Sequence, residues 1–223
     1  MKILNLYACL GGNRYKWDEV ADNLEITAVE LDPELARMYQ ERFPNDTVIV
    51  ADAHQYLLDH YKEFDFIWSS PPCPSHSRAR FWHSSNYDTN TIPVYPDLKL
   101  YEEILFLKHY FKGKWVVENV TPYYEPLIMG VKRNSHLYWS NFNIPSVLTE
   151  RVYKVSGSLN NPNNNEMKTL SKFHEINLTN YKGTQSKNKI ARNLVDYEAG
   201  RTILETALGI IRKNDTTQTT MFD

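Results

Sequence analysis

FDFIWSSPPCPSHSRAR, residues 64–80, decides how the rest of the chain reads. Its first five residues are a short apolar run of the kind that forms a buried strand. The run stops at Ser69-Ser70, and two prolines then force an extended, non-helical exit. Cys73 follows directly, with Pro74 behind it, so the order predicts a thiol on a stiff backbone at a strand's carboxyl end. In open α/β sheets that edge is where ligands bind. Ser75, His76, Ser77, Arg78 and Arg80 make the next stretch polar and basic. A thiol on a rigid turn among cations is one way to present a thiolate nucleophile. The competing reading is an inert core thiol, because free cysteines are among the most buried residues.

Upstream, apolar runs alternate with helical patterns. Residues 2–8, KILNLYA, read as a buried strand that runs into Cys9-Leu10-Gly11-Gly12-Asn13. Paired glycines there allow a tight turn and the close approach of a ligand. A helix is predicted around Trp17, Val20 and Ala21, then a strand over residues 25–30, EITAVE. Asp32-Pro33 predicts a helix start, with Asp as N-cap and Pro at the first helical position. Residues 47–50 give a third strand ending near Asp52, with a helix around Tyr56 and Leu58 after it. The alternation predicts an α/β fold, a mostly parallel doubly wound sheet with helices on both faces. Glu30 is placed to hydrogen-bond a ribose, and Asp52 to accept from an adenine amino group. Either acid could instead cap a helix or sit exposed. The full G-x-G-x-x-G is absent, so nothing here selects a nicotinamide cofactor.

Downstream, residues 81–97 form an aromatic-rich polar stretch read as a mobile loop. Residues 98–111 carry Leu100, Ile104, Leu107 and Phe111 at helical spacing. Residues 114–117 predict a strand that delivers Glu118-Asn119-Val120 at its carboxyl end, on the same sheet edge as Cys73. Burial at such a position favours a protonated carboxyl. Two more strands are expected over 127–131 and 135–142, with Lys132-Arg133-Asn134-Ser135-His136 between them. Residues 143–190 read as turn and loop, a helix is expected over 198–211, and residues 214–223 as a disordered tail.

The 223 residues suit one well-buried α/β domain. The net charge is only −2, but its distribution is uneven. Residues 1–66 hold 6 Lys+Arg against 13 Asp+Glu, while residues 151–213 hold 11 against 5. That asymmetry suits a second half that meets a polyanion, or an ordinary solvated surface. Cys9 and Cys73 make neither a disulfide framework nor a zinc spacing, so no metal is expected. With no signal peptide or membrane-length apolar run, the expected setting is cytoplasmic.

The strand, Pro-Pro-Cys and polar loop together resemble the catalytic loop of the DNA cytosine-5 methyltransferases. Pro74 stands where that family usually has Gln, and His76-Ser77 where it has Phe-Ser. Asn5 to Gly12, NLYACLGG, is similar to its first motif, with Tyr7 for Phe and Cys9 for the first glycine. Val29-Glu30-Leu31-Asp32 and Ala51-Asp52-Ala53 fall where its ribose and adenine contacts are expected. Glu118-Asn119-Val120 resembles its second catalytic motif without a substitution. Lys132 to His136 stands where Q-x-R-x-R is usual, with Asn134 and His136 in place of the arginines. ARNLVDYEAGRTIL, from Ala191, resembles the last motif, with Tyr197 where a proline is common.

The resemblance implies a Rossmann-like class I methyltransferase with a short recognition insert. Residues 1–142 and 190–213 would form the catalytic domain, and 143–189 a short basic target-recognition region. S-adenosylmethionine would lie against Tyr7, Cys9, Gly11, Gly12, Glu30, Leu31, Asp52, Ala53, Pro72, Asn193 and Val195. Cys73 would be the nucleophile, Glu118 its acid partner and His136 a base contact. The partner would be double-stranded DNA with the target cytosine flipped out under the 81–97 loop. A protein partner or a homodimer is compatible with this. Three alternatives stay open: a tRNA cytosine-5 methyltransferase, a catalytically silent partner subunit, and a nicotinamide-dependent oxidoreductase, which gives Pro-Pro-Cys no role.

Overall fold

A computed structural model describes residues 1–78, 95–148 and 164–210. Period-two alternation along its central strands explains the layering. In β1 (Lys2–Leu6), β4 (Phe66–Ser69) and β5 (Lys114–Val120), neighbouring residues enter different cores. Leu4, Leu6, Ile67, Trp115 and Val117 pack on one face. Ile3, Phe66, Trp68 and Val116 pack on the other. A sheet apolar on both faces needs helices on both. The remaining strands are β2 (Glu25–Glu30), β3 (Thr47–Val50), β6 (Val131–Arg133) and β7 (His136–Ser140). The order is β3-β2-β1-β4-β5-β7-β6, with β3 to β5 mutually parallel and β7 antiparallel to both neighbours.

The helices are α1 (Pro33–Arg42), α2 (Ala53–His60), α3 (Lys99–Tyr110), α4 (Asn164–His174), α5 (Lys187–Asn193) and α6 (Tyr197–Ala207). Leu57 of α2 and Leu100, Ile104 and Leu107 of α3 cover the first face. Ile203 and Leu204 of α6, with Trp17, cover the second, where Tyr39 of α1 also meets Ala28. This is the Rossmann-like methyltransferase arrangement expected from the sequence. Chain order reverses between β1 and β4, so the crevice at a topological switch point opens at their carboxyl ends. No helix among the described residues is long and apolar enough to cross a membrane.

Local signals hold where they are strongest. Asp32 accepts from the Glu34 and Leu35 N–H groups, and Pro33 opens α1. Asp52 caps α2 by accepting from the Gln55 N–H at 2.9 Å.

Elsewhere the structure corrects the expectations. Around Trp17 there is only one 3₁₀ turn, Trp17–Glu19. The place of a helix is taken by α6, which packs so close that a Cβ on Gly200 would lie 2.1 Å from the Asn13 carbonyl oxygen. The Trp17 indole N–H donates to the Gly200 carbonyl at 3.2 Å. Strand β5 runs on through Val120, so Glu118 lies inside it. The strand expected over 127–131 is instead the short β6, joined to β7 by Asn134 and Ser135, with Asn134 at φ 51°. Helix α6 stops at Ala207 because Gly209, at φ 70°, closes it. The Gly209 and Ile210 N–H groups then bond the Thr206 and Glu205 carbonyls, a Schellman closure.

Nor are residues 164–189 all loop. Leu170, Leu178, Tyr181, Ile190 and Leu194 pack on Leu10 and Leu35 in a third apolar cluster. Helix α5 runs across the boundary expected at residue 190. Residues 81–94 of the loop expected over 81–97, and the tail, lie outside the described residues.

Candidate active site

One open cleft of about 1840 Å³ runs along the carboxyl ends of β1, β4 and β5. Of the catalytic and cofactor residues that the resemblance implies, all but Gly11 are on its wall. Gly11 lies behind it at φ 68°, where a Cβ would meet the Phe43 ring at 2.5 Å. Gly12 is needed for close approach, since its Cβ would lie 2.4 Å from the Val195 carbonyl oxygen. That contact draws the end of α5 and the segment after it, with Asn193 and Val195, onto the first glycine turn.

The turn is fastened by acids. Glu30 Oε2 accepts the Cys9 N–H at 2.8 Å, and Oε1 accepts the Asp32 N–H at 2.9 Å. Burial pushes the Glu30 carboxyl up in pKa, with those two N–H groups pulling the other way. Tyr7 and Cys9 hold positive φ, 57° and 47°, a region that non-glycine residues rarely occupy. The Tyr7 hydroxyl donates to Glu103 at 2.5 Å. Glu103 is fully buried, also accepts the Ser69 hydroxyl at 2.5 Å, and faces His54 Nδ1 at 3.1 Å. The sequence reading missed Glu103. Its signal was a lone acid between Leu100, Ile104 and Leu107 on an apolar helical stripe. The Cys9 thiol, buried and close to Glu30, is pushed up to about 12.

At the other end, the Cys73 carbonyl accepts the N–H groups of His76 and Ser77, both at 3.0 Å. The Asn119 side chain donates to the Pro71 carbonyl at 2.9 Å, tying the Pro-Pro-Cys loop to β5. Glu118, 6 % exposed, lies next to Asn119, with its Oε1 3.4 Å from His136 Nε2. The antiparallel register that sets Val120 opposite His136 brings this pair together. Arg133, by contrast, donates to the backbone carbonyls of Lys132, Ile144 and Pro145. Among the described residues no cluster of His, Cys, Asp or Glu is placed to hold a metal ion.

Of the arginines expected beside Cys73, Arg80 lies outside the described residues and Arg78 is turned to the backbone. Arg78 turns its Nε to the Pro122 carbonyl at 3.3 Å. Burial and then Glu118 push the Cys73 thiol above its ordinary range, while Lys189 on α5 works against them. Since the pKa is raised, the thiolate is scarce at neutral pH and accumulates only as pH climbs past the usual cysteine range. Carbamidomethylation of Cys73 by iodoacetamide should therefore be slower than that of free cysteine at neutral pH and should accelerate into alkali. Cys9 should remain unlabelled over the same range. Peptide mass mapping after timed quenches would check both, and fast neutral labelling of Cys73 would contradict the assigned environment.

Three comparisons place this geometry among known proteins. The family model described as C-5 cytosine-specific DNA methylase matches residues 1–121. No curated protein matches the chain. Among solved structures, a Spodoptera frugiperda DNMT2 mutant is 26 % identical, over 53 % of this chain and 35 % of its own, with a TM-score of 0.39. The present chain thus spans about a third of that protein's length. The Entamoeba histolytica methyltransferase EhMeth is 9 % identical over 96 % of this chain and 99 % of its own, with a TM-score of 0.49. The family match reaches from β1 through the Cys73 loop to the end of β5, the span that builds most of the cleft wall, and on that match the chain belongs to the C-5 cytosine-specific DNA methylases.

Proposed function

We propose that the chain methylates carbon 5 of cytosine in DNA, with S-adenosylmethionine as donor and a covalent Cys73 adduct on the base. The observation that carries this is that Cys73, Glu118 and the glycine turn with Glu30 and Asp52 share one cleft. The cofactor supplies an electrophilic methyl group. Glu30 fits its ribose, because each carboxylate oxygen holds one backbone donor and retains capacity for another. Leu31, 67 % exposed on the cleft wall, offers an apolar face to the adenine ring.

Carbon 5 of cytosine is a poor nucleophile until a thiolate adds to carbon 6 and makes it enamine-like. Glu118 shares a proton with ring nitrogen 3 and so stabilises the charge that develops. The same proton removes the negative charge that holds the Cys73 thiol up. Seating the base therefore helps to release the thiolate. After methyl transfer, loss of the carbon-5 proton expels Cys73. The base has to leave the stack for any of this. His136, with Nε2 3.4 Å from Glu118, orients the base in the place of the missing arginine.

Tritium transfer from labelled cofactor to duplex DNA, compared with tRNA, tests the reading. Label in tRNA alone would replace the DNA substrate, and label in neither would end the proposal. Glu30→Ala should weaken cofactor binding by roughly 1–3 kcal/mol in titration calorimetry. Unchanged affinity would remove Glu30 from the cofactor site. Residues 143–189 are assigned to target recognition, with exposed Lys182 and Lys187 and nearby Lys189 on phosphates. DNA affinity should then fall steeply between low and moderate salt. A flat salt response would move the interface elsewhere.

A further inference from the structure

His76 stands three residues beyond the nucleophile, where the resemblance leads one to expect Phe, and it is 1 % exposed. The residue borders the same cleft as Cys73 and Glu118. A hydrogen-bond chain reaches its ring and favours one tautomer. The Leu127 N–H donates to the Tyr101 hydroxyl oxygen at 3.3 Å, and the Tyr101 hydroxyl donates to the Tyr124 oxygen at 3.2 Å. The Tyr124 proton is then free for His76 Nδ1, at 2.5 Å. Burial lowers the His76 pKa, so the ring is neutral. With Nδ1 accepting, the single ring proton sits on Nε2. Nε2 is buried and has no hydrogen-bond partner among the described residues. A buried donor without an acceptor costs free energy, so the site is complete only when something accepts from it.

The chemistry of the base says what that acceptor is. Glu118 and His136 face the edge of cytosine that carries oxygen 2 and nitrogen 3. Cys73 and its loop face the carbon-5 and carbon-6 edge, which has only C–H groups. The acceptors on that side belong to the sugar-phosphate, because in the anti conformation carbon 6 points toward the 5′ phosphate. We propose that His76 binds the target nucleotide, its Nε2–H donating to an oxygen of the phosphate 5′ to the flipped cytosine. This rests on the cytosine-5 reading above, and it adds a neutral, directional contact on the nucleophile's own loop.

The test begins with a DNA cytosine that the wild type is shown to methylate, so failure of the parent reading is seen first and separately. On a duplex built around that cytosine, His76→Phe should lower kcat/KM for DNA roughly tenfold to a hundredfold. Cofactor affinity should stay within about twofold, because one lost contact to DNA does not touch the cofactor wall. His76→Gln, which keeps an N–H donor, should recover part of the loss. An uncharged methylphosphonate at the 5′ position should impair the wild type much more than His76→Phe. Nitrogen-15 spectra of the free protein should place the ring proton on Nε2. A His76→Phe enzyme as efficient as wild type would overturn the proposal, as would a proton on Nδ1 or equal methylphosphonate losses in both proteins.

Discussion

Replacing Cys73 with Ser should lower methyl transfer by on the order of 10⁴-fold or more, because the whole of the proposed covalent route passes through one sulfur atom. A hydroxyl ionises far less than even this raised thiol, and nothing described around residue 73 is placed to deprotonate it. Glu118, the nearest acid named in the cleft, would repel the alkoxide rather than create it. Cofactor affinity should survive, since Tyr7, Glu30, Asp52 and Val195 lie on other segments. DNA carrying 5-fluorocytosine gives the direct readout, as fluorine cannot leave as a proton does. The wild type should become trapped and shift on a denaturing gel, and so should Cys9→Ser. Cys73→Ser should not shift. Methylation by the Cys73→Ser protein, or by wild type without any adduct on the fluorinated base, would exclude the thiolate mechanism.

The largest loss of stability should come from Arg14→Ala. Arg14 is buried, and its Nε and Nη2 donate to Asp46 at 2.9 and 3.0 Å, while Asp18 takes the other side of the guanidinium. The Asp46 side chain is 3 % exposed. Its remaining donor, the Tyr39 hydroxyl at 2.8 Å, does not neutralise it. Removing the arginine strands a buried carboxylate, which costs about 3–5 kcal/mol. Urea unfolding monitored by tryptophan fluorescence would measure it. A loss below about 1 kcal/mol would show that the pair is solvated and worth no more than a surface bridge.

These two residues mark the limits of what the sequence shows. Cys73 was legible because its signals are local: an apolar run, two prolines, a thiol, then polar residues. Asp32-Pro33 and EITAVE were legible for the same reason, and α1 and β2 lie where they were expected. Arg14 was invisible because its partner is 32 positions away, and only the folded chain brings them together. The same long-range pairing explains the missing helix at Trp17, where α6 claims the space that a local pattern assigned to a helix. In α4, the spacing of Met167, Leu170 and His174 was hidden by the asparagines before it. Glu103 looked like an ordinary helix acid until Tyr7, Ser69 and His54 converged on it. The cofactor-side positions other than Gly11 line the cleft because Rossmann-like sheets open a crevice at strand ends, whatever the side chains in between.

The docking of α6 also has a consequence for how the protein is made. Trp17 and Gly200 are partners separated by 183 positions, and Lys16–Glu198 and Arg201–Glu19 join the same two regions. A ribosome adding roughly 5–20 residues per second leaves Ile3, Trp17 and Phe66 without their cover for roughly ten to forty seconds. During synthesis the parallel strands can pair, yet one face of the sheet stays open until the last helix emerges. The nascent chain therefore exposes that apolar face until α6 has been made. A stop codon that removes α6 should yield aggregated protein instead of a folded fragment.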